Sequence, residues 1–486
     1  MSKHKIVARC VPPLPRWDWS AALAVLFLSG CASFANPPVA HHITPSDQFD
    51  AGQDIRSAAP GPEIAAKWWQ DFGDPSLNRF IDDAMRDAPS LKAMRERVTA
   101  ALAQADIEHA AALPQVDGLA SVVPTRFPAN YTTPPPVAGH WQTDTQALMN
   151  LSFDLDLAGR IKAQQRAAEQ RADQQAALAR GAELALQAAL VTTYLNLALN
   201  DALLKIAEDT LAQHNKLLRL TDKRVSAGLD MRVASLRASE PIPLAQADIV
   251  QRQAAVAMLR HRLAALAGQG PGYTDGVTPE LAGLTVSPVL PASLPAGLVS
   301  RRPDVIAARY GVESQAAGID AAHAAFYPDI NLIAFAGLQS LGFRALFNGN
   351  SGSFGAGPAI TLPIFEGGRL RAGLRAQTAT YNAAVADYDD TVVNALAQVS
   401  DALVNIRALQ QQRDLTRQAL DRAQQTFDLE TRRYQQGISG YLDVLLAESR
   451  LNEDRAAHAR AENALLVEHV QLIAALGGAA PDGVSK

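Results

Sequence analysis

The chain has few cysteines, few aromatic residues and no long apolar runs, and each shortage excludes something. Only Cys10 and Cys31 occur in 486 residues, too few for a disulfide framework. Aromatic residues make up 6% of the chain, which argues for an elongated molecule over one large core. Beyond the N-terminal leader no segment is expected to approach the ~20 apolar residues of a membrane helix. If the chain crosses a bilayer, it must do so as strands. Lys and Arg number 44 against 49 Asp and Glu, interspersed, so no basic surface invites nucleic acid. HExxH, GxSxG, a Walker loop and metal-spaced Cys/His clusters are all missing. No enzyme activity, metal or cofactor is therefore expected.

What is present begins with an export signal at residues 1–30. Lys3, Lys5, Arg9 and Arg16 precede AALAVLFL (21–28) and the small pair Ser29-Gly30. That apolar core is too short to span a bilayer. Leu28-Ser29-Gly30-Cys31 resembles a bacterial lipobox, which implies that Cys31 becomes the acylated first residue and that Cys10 leaves with the leader. Ala32 in place of Asp favours outer-membrane delivery. Plain secretion with an incidental cysteine is the competing reading.

Residues 31–73, rich in Pro, Ser, Ala and Gly, read as an extended tail in which His41-His42 are solvated. A first unit spans 74–268. Asp74-Pro75-Ser76 opens a helix that breaks near Pro89, and strands follow at 115–125 and 145–157. In the second strand Ala147, Met149, Leu151, Phe153, Leu155 and Leu157 share one face; Asn150, Ser152, Asp154 and Asp156 share the other, beside Leu148. Such alternation suits a wall between lipid and water. Taken alone it also suits a half-buried soluble hairpin. The aspartates read as pore-lining or rim groups in preference to a cation site. From Gly159 the period becomes helical to about 226, with a heptad at Leu190, Leu197, Leu204, Leu211, Leu218 and Val225. Gly228 stops it. A further tract, 231–267, should be kinked or broken by Pro241 and Pro243 and ends in LAALAG.

After a Gly/Pro-rich linker (269–300) the programme repeats over 301–478, leaving a short tail, 479–486. Strands are expected at 329–340 and 354–365, and a long helix at 368–435. Gly437 is its stop, and a last helix ends in IAALGG. Arg160 recurs as Arg369 and Gly228 as Gly437, at one interval of 209 residues. Both halves pass from strand to helix through a Gly-Arg step, Gly159-Arg160 and Gly368-Arg369. Glycine permits that turn, and the arginine is expected to tie it down. Four strands cannot close a barrel, and an open edge is not tolerated in lipid. Copies must share the barrel: a dimer would give eight strands, a trimer twelve. In each half the two shorter helical tracts together match one long helix of ~100 Å, so each chain supplies four staves.

LPASLPAGLVSRRPDVIAARYGVESQAAGIDAAHAAFYPDINLIAFAG (290–337) closely resembles the RRPDV region of TolC-like outer-membrane factors, in their NodT/OprM lipoprotein branch. Trp68-Trp69, the Gly-Arg turns, the glycine stops and the LAALAG ends extend the resemblance over nearly the whole mature chain. It implies a mixed α+β membrane protein: a homotrimer with a 12-stranded β-barrel, four strands per chain, continued by a long periplasmic α-helical barrel. It further implies a passive exit duct in the Gram-negative outer membrane. That duct would serve an inner-membrane efflux pump through a periplasmic adaptor and release drugs or other toxic small molecules. A lipid-anchored adaptor is the rival, but it would lack paired strands. In the family an aromatic-x-x-Gly, with Asp six residues later, sits where the helices turn. The resemblance places Tyr434, Gly437 and Asp443 there, with Tyr434 and Asp443 holding the tip closed. The first unit has Ala234 in place of that Asp, with Asp230 and Arg232 nearby, so its closing network should differ. Gly228 and Gly437 suit helix C-termini with positive φ and would lie close to the adaptor.

Overall fold

The computed structural model describes residues 42–45, 48–50, 52–56, 64–130, 133–284 and 299–479. The expected signal peptide (1–30), Cys10 and Cys31 lie outside the described residues, as do parts of the tail and linker.

Strands β1 (Gln115–Arg126), β2 (Trp141–Asp154), β3 (Asp329–Leu341) and β4 (Gly352–Thr361) form one antiparallel sheet in that order. Met149 lies opposite Gly118 and Ala336, and Asn150 opposite Asp117 and Phe335. Partners across a ladder share a face, so the register sorts all four strands at once. One face carries Val116, Val122, Met149, Leu151, Leu332, Leu338, Phe354 and Ile360; the other carries the polar residues Asp117, Ser121, Gln146, Asn150 and Gln339, interspersed with Leu119, Leu148, Ile333 and Phe335. On the polar face Asn150 Nδ2 donates to Asp117 at 3.0 Å. The apolar face is bare, with Met149 63% and Phe354 87% exposed. Among the described residues of the protomer the outer edges of β1 and β4 have no partner strand.

The second strand of each pair stops short of its expected end. β2 ends at Asp154 because its carboxylate accepts the Asp156 N–H at 2.8 Å, a local turn that draws the backbone out of the ladder. β4 ends at Thr361, two residues before Pro363, which has no N–H to donate.

Among the described residues eight helices follow the sequence period: α1 (Pro75–Asp87), α2 (Pro89–Ala110), α3 (Arg160–Ser226), α4 (Arg232–Ser239), α5 (Pro241–Leu266), α6 (Pro303–Ala324), α7 (Arg369–Gln435) and α8 (Tyr441–Ala475). A separate single turn covers Gly52–Arg56. α3 and α7 have the same length, 67 residues, or ~100 Å. α3 packs against α2 and α5 along one flank and α6 and α8 along the other; α7 also packs against α6 and α8. The shorter helices thus stack end to end beside the long ones, giving four staves. Between α4 and α5, Glu240 stays helical (φ −57, ψ −45), so the prolines interrupt hydrogen bonds without reversing the chain.

The stacking joints explain two sequence signatures. The C-terminal glycine of LAALAG, Gly268, abuts the start of α2: a Cβ there would lie 2.4 Å from Pro89 Cδ and 3.1 Å from Ala88 Cα. In the second half a Cβ on Gly477 would lie 2.9 Å from Arg302 Cα. Arg302, 7% exposed, clamps this joint. It donates to the Ala475 carbonyl at the end of α8 (2.7 Å), to Gln398 of α7 (3.0 Å) and through both Nε and Nη2 to Asp304 (3.0 and 2.7 Å). Pro303 starts α6, and Asp304 also accepts the Val305 N–H. RRPDV is therefore a joint between staves.

The core lies at mid-height, where Trp68, Trp69, Phe72, Leu77 and Ile81 cluster with Leu190, Tyr194 and Leu197 of α3 and Leu263 of α5. The Tyr194 hydroxyl donates to Asp74 at 2.6 Å, and Asp74 also caps Ser76 N at 2.7 Å. Two expectations change here. The tail is docked where it is described: Ile55 is 3% exposed, Arg407 of α7 donates to Asp54 (2.8 Å), and Thr44 donates to Asp389 of α7 (3.2 Å). Scattered Ile43, Phe49 and Ile55 outweigh the loop-like composition; His42 is exposed. In addition α3 does hold an 18-residue window of mean hydropathy 1.3, enough for a membrane helix by length and composition; 44% of that window is buried. Leu190, Val191, Tyr194, Leu195, Leu197 and Ala198 of the same helix lie in the core.

Gly268→Ala is expected to cost about 1–3 kcal/mol through the clash with Pro89, beyond about 1 kcal/mol for the left-handed backbone. Gly228→Ala, with φ +72 and nothing within 4 Å, should carry only the second cost. Thermal unfolding of the two variants checks the difference. Arg302→Ala should lose about 2 kcal/mol. It should also flatten an acid-side transition. Burial raises Asp304, but the Arg302 bonds and Val305 N–H outweigh it and hold the carboxyl below its ordinary value. Its contribution is complete above the unfolded pKa and disappears as pH falls through the lower folded one. Unfolding curves across acid pH for wild type and variant measure this.

Candidate functional site

The two ends of the long helices hold the candidate residues. At the upper end Gly159 and Gly368 adopt φ +75 and +88 immediately before α3 and α7. Arg160 Nη2 donates to Asp154 at 2.9 Å and lies 3.7 Å from Asp329. Arg369 Nε donates to Glu366 at 2.7 Å. Each arginine reaches back to a carboxylate of its own turn. Asp154 and Asp156 turn out to be structural. Asp156, at φ 45, accepts the backbone N–H groups of Ile161 and Lys162, both at 2.9 Å, and so caps the otherwise unpaired donors of α3. Asp156 thus caps the helix, while Asp154 braces the turn by accepting from the Asp156 N–H and Arg160.

At the lower end Gly228 and Gly437 adopt φ +72 and +75. Leu229 N–H donates to Arg224 O and Ile438 N–H to Arg433 O, each at 2.9 Å, the six-to-one bond of a glycine-terminated helix. Tyr434 is 1% exposed. Arg224 of α3 lies over its ring, 4.7 Å from the centroid, and donates to Asp230 at 2.7 Å. Tyr434 and Tyr441 rings pack 5.9 Å apart. Asp230 and Tyr434 are thus joined through Arg224. Burial pushes the Tyr434 phenol above its ordinary value, against the pull of Thr221 and Arg224. The bond to Asp230 raises the Arg224 guanidinium.

The other two candidates stand apart from this cluster. Asp443 accepts the Gly440 N–H at 3.1 Å and caps α8. Arg232, at the start of α4, is exposed and has no ion pair among the described residues. Sequence reasoning missed Arg224, Tyr441 and a glutamate–histidine pair above them. Glu448 of α8 is wholly buried, with His214 Nδ1 of α3 at 3.5 Å. The available signal was a glutamate between Val444 and Leu451 on the apolar face of α8. Around these groups the tip exposes Leu229, Met231, Leu236, Ile438, Leu442 and Leu446. Among the described residues no cluster could hold a metal ion.

A sheet with one lipid-like face, mounted on four ~100 Å staves, is the architecture of an outer-membrane efflux channel, and the comparisons agree. The chain belongs to the family described as outer membrane efflux protein, whose sequence model matches residues 80–269 and 294–478. It is 40% identical to the fusaric acid resistance protein FusA of Burkholderia cepacia over 74% of this chain and 69% of that one. It is 30% identical to the solvent efflux pump outer membrane protein SrpC of Pseudomonas putida over 94% and 97%. Among solved structures, the outer membrane protein VceC of Vibrio cholerae superposes with a TM-score of 0.80 at 31% identity, covering 86% of this chain and all of that one. The outer-membrane channel OprN gives 0.81 at 25% identity over 92% and 98%. The protein is an outer-membrane channel of a Gram-negative efflux system, with a long periplasmic helical part.

Arg160→Ala should destabilise by about 1–2 kcal/mol, because Asp154, 15% exposed, loses its cation. Arg369→Ala, at a solvated pair, should leave thermal stability unchanged. Melting of both variants side by side decides this.

Proposed function

We propose that three copies of this chain form one closed duct and that it conducts small toxic molecules passively outward. The observation that carries this reading is the four-stranded sheet with two open edges and an apolar outer face. Such edges need partners in lipid, and three sheets supply twelve strands. The duct receives its cargo from an inner-membrane pump through a periplasmic adaptor, which docks at the apolar tip around Leu229, Met231, Ile438 and Leu442. A lining of solvated polar groups has no substrate pocket and leaves selectivity to the pump. Relatives named for fusaric acid, solvents and multiple drugs point to amphiphilic toxic compounds as the cargo class.

Cys31 carries the lipid anchor in this reading. From Cys31 to Thr44 an extended chain reaches ~45 Å. Thr44 bonds Asp389, which lies ~30 Å along α7 from Gly368 at the membrane boundary. The tether is long enough for an acyl chain in the inner leaflet. At the tip, Tyr434, Asp230 and Asp443 hold the closed state, with Arg224 supplying the cation that links the first two.

Purified channel in planar bilayers is expected to give discrete conductance steps and to run as a trimer on unheated gels. A monomer without pores would sink the duct reading in favour of an adaptor. Tyr434→Phe, Asp443→Ala and Arg224→Ala should each raise single-channel conductance; unchanged values in all three remove these residues from the closing network. Cys31→Ser should abolish incorporation of labelled palmitate, and continued labelling would exclude Cys31 as the site.

A further inference from the structure

The end of the sheet remote from the helices carries charge that the channel reading does not use. β1 leaves α2 and runs away from the helices, so its last residue, Arg126, marks the outer rim. Arg126 pairs directly with Trp141 across the β1–β2 ladder. By alternation both belong to the apolar face, with Val122 and Met149. Both are exposed, Trp141 at 69%. The adjacent turn Phe343–Ala345 packs against β2 and β3 and is tied by the Gly342 N–H to Thr143 O at 2.6 Å. It adds Arg344 between the exposed aromatics Phe343 and Phe347, whose rings meet edge to face at 6.1 Å.

Neither Arg126 nor Arg344 has an ion pair among the described residues. Asp144, the described carboxylate at this end, pairs with Val123 and Leu341 and therefore sits on the polar face. A guanidinium on a lipid-facing surface costs little only at the headgroup level, where aromatic rings also prefer to lie. Its planar fork of donors suits a phosphate. In the outer leaflet of this membrane the phosphate-bearing species is a glycolipid, lipid A.

We propose that Arg126, Trp141, Arg344, Phe343 and Phe347 form a contact site for the phosphorylated headgroup of an outer-leaflet glycolipid. The arginines take the phosphates and the aromatics the adjoining sugar and upper acyl region. This rests on the outer-membrane placement of the sheet. Conductance of the same preparations tests that placement separately.

The full-length channel, purified in detergent, is incubated with diphosphorylated lipid A, with its dephosphorylated form, or with phosphatidylglycerol, and retained lipid is read by native mass spectrometry. Wild type should retain diphosphorylated lipid A at least ~5-fold above the dephosphorylated form. Arg126→Ala/Arg344→Ala should lose that preference while keeping trimer migration and conductance, and Arg126→Lys/Arg344→Lys should keep most of it. Equal retention of both forms, or a double-alanine variant with the wild-type preference, overturns the proposal. So does equal retention of phosphatidylglycerol, which would make the patch a general anion contact.

Discussion

The molecule depends on close end-to-end contact between helices. The continuous α4–α5 tract and α2 must together run alongside α3, and α8 and α6 alongside α7, or the staves would differ in length and leave gaps in the wall. A stacked joint brings a helix C-terminus, with its free carbonyls, against a helix N-terminus. Gly268 and Gly477 remove the side chains that would hold these ends apart. Arg302 fills the remaining electrostatic need, since it donates to the Ala475 carbonyl while its charge is balanced by Asp304. The mid-height core of tryptophans and leucines forms around these joints.

The two halves share a plan and diverge where each meets a different environment. Their long helices agree residue for residue in length, and the glycines at both ends keep the same conformations. The turns above those helices differ in chemistry. In the first, Asp154 and Asp156 cap and brace α3. The second places Ile364 and Phe365 there, 80% and 90% exposed. At the lower end the first half ties Arg224 to Asp230, whereas the second contributes the rings of Tyr434 and Tyr441. The cation of one half thus sits on the aromatic of the other.

Periodicity made much of this legible in the sequence. The change from period two to period 3.6 at Gly159 comes directly from backbone geometry, which is local, and the 209-residue interval is the same programme met a second time. The strand ends were misjudged because Leu155 and Leu157 continue the alternation while an aspartate side chain captures the Asp156 N–H. The tail misled for a related reason: three apolar residues among many loop formers suffice to dock it when a helix lies alongside. Arg224 over Tyr434 joins residues from opposite halves of the chain, and no spacing within either half encodes it. Glu448 was visible as a charge on an apolar face, but its partner His214 belongs to another helix.

The equal lengths of α3 and α7 also constrain how such a chain can change. Inserting one residue in a long helix rotates everything beyond it by ~100° and slides it 1.5 Å past its neighbours, moving buried seam residues outward. Inserting seven restores the face but lengthens one stave alone, so the tip would no longer be level. Only matched two-turn changes in both halves, accompanied by the stacked helices, keep wall and tip intact. The duplication thus acts as a ruler, and the length of the tunnel can drift only in coordinated steps.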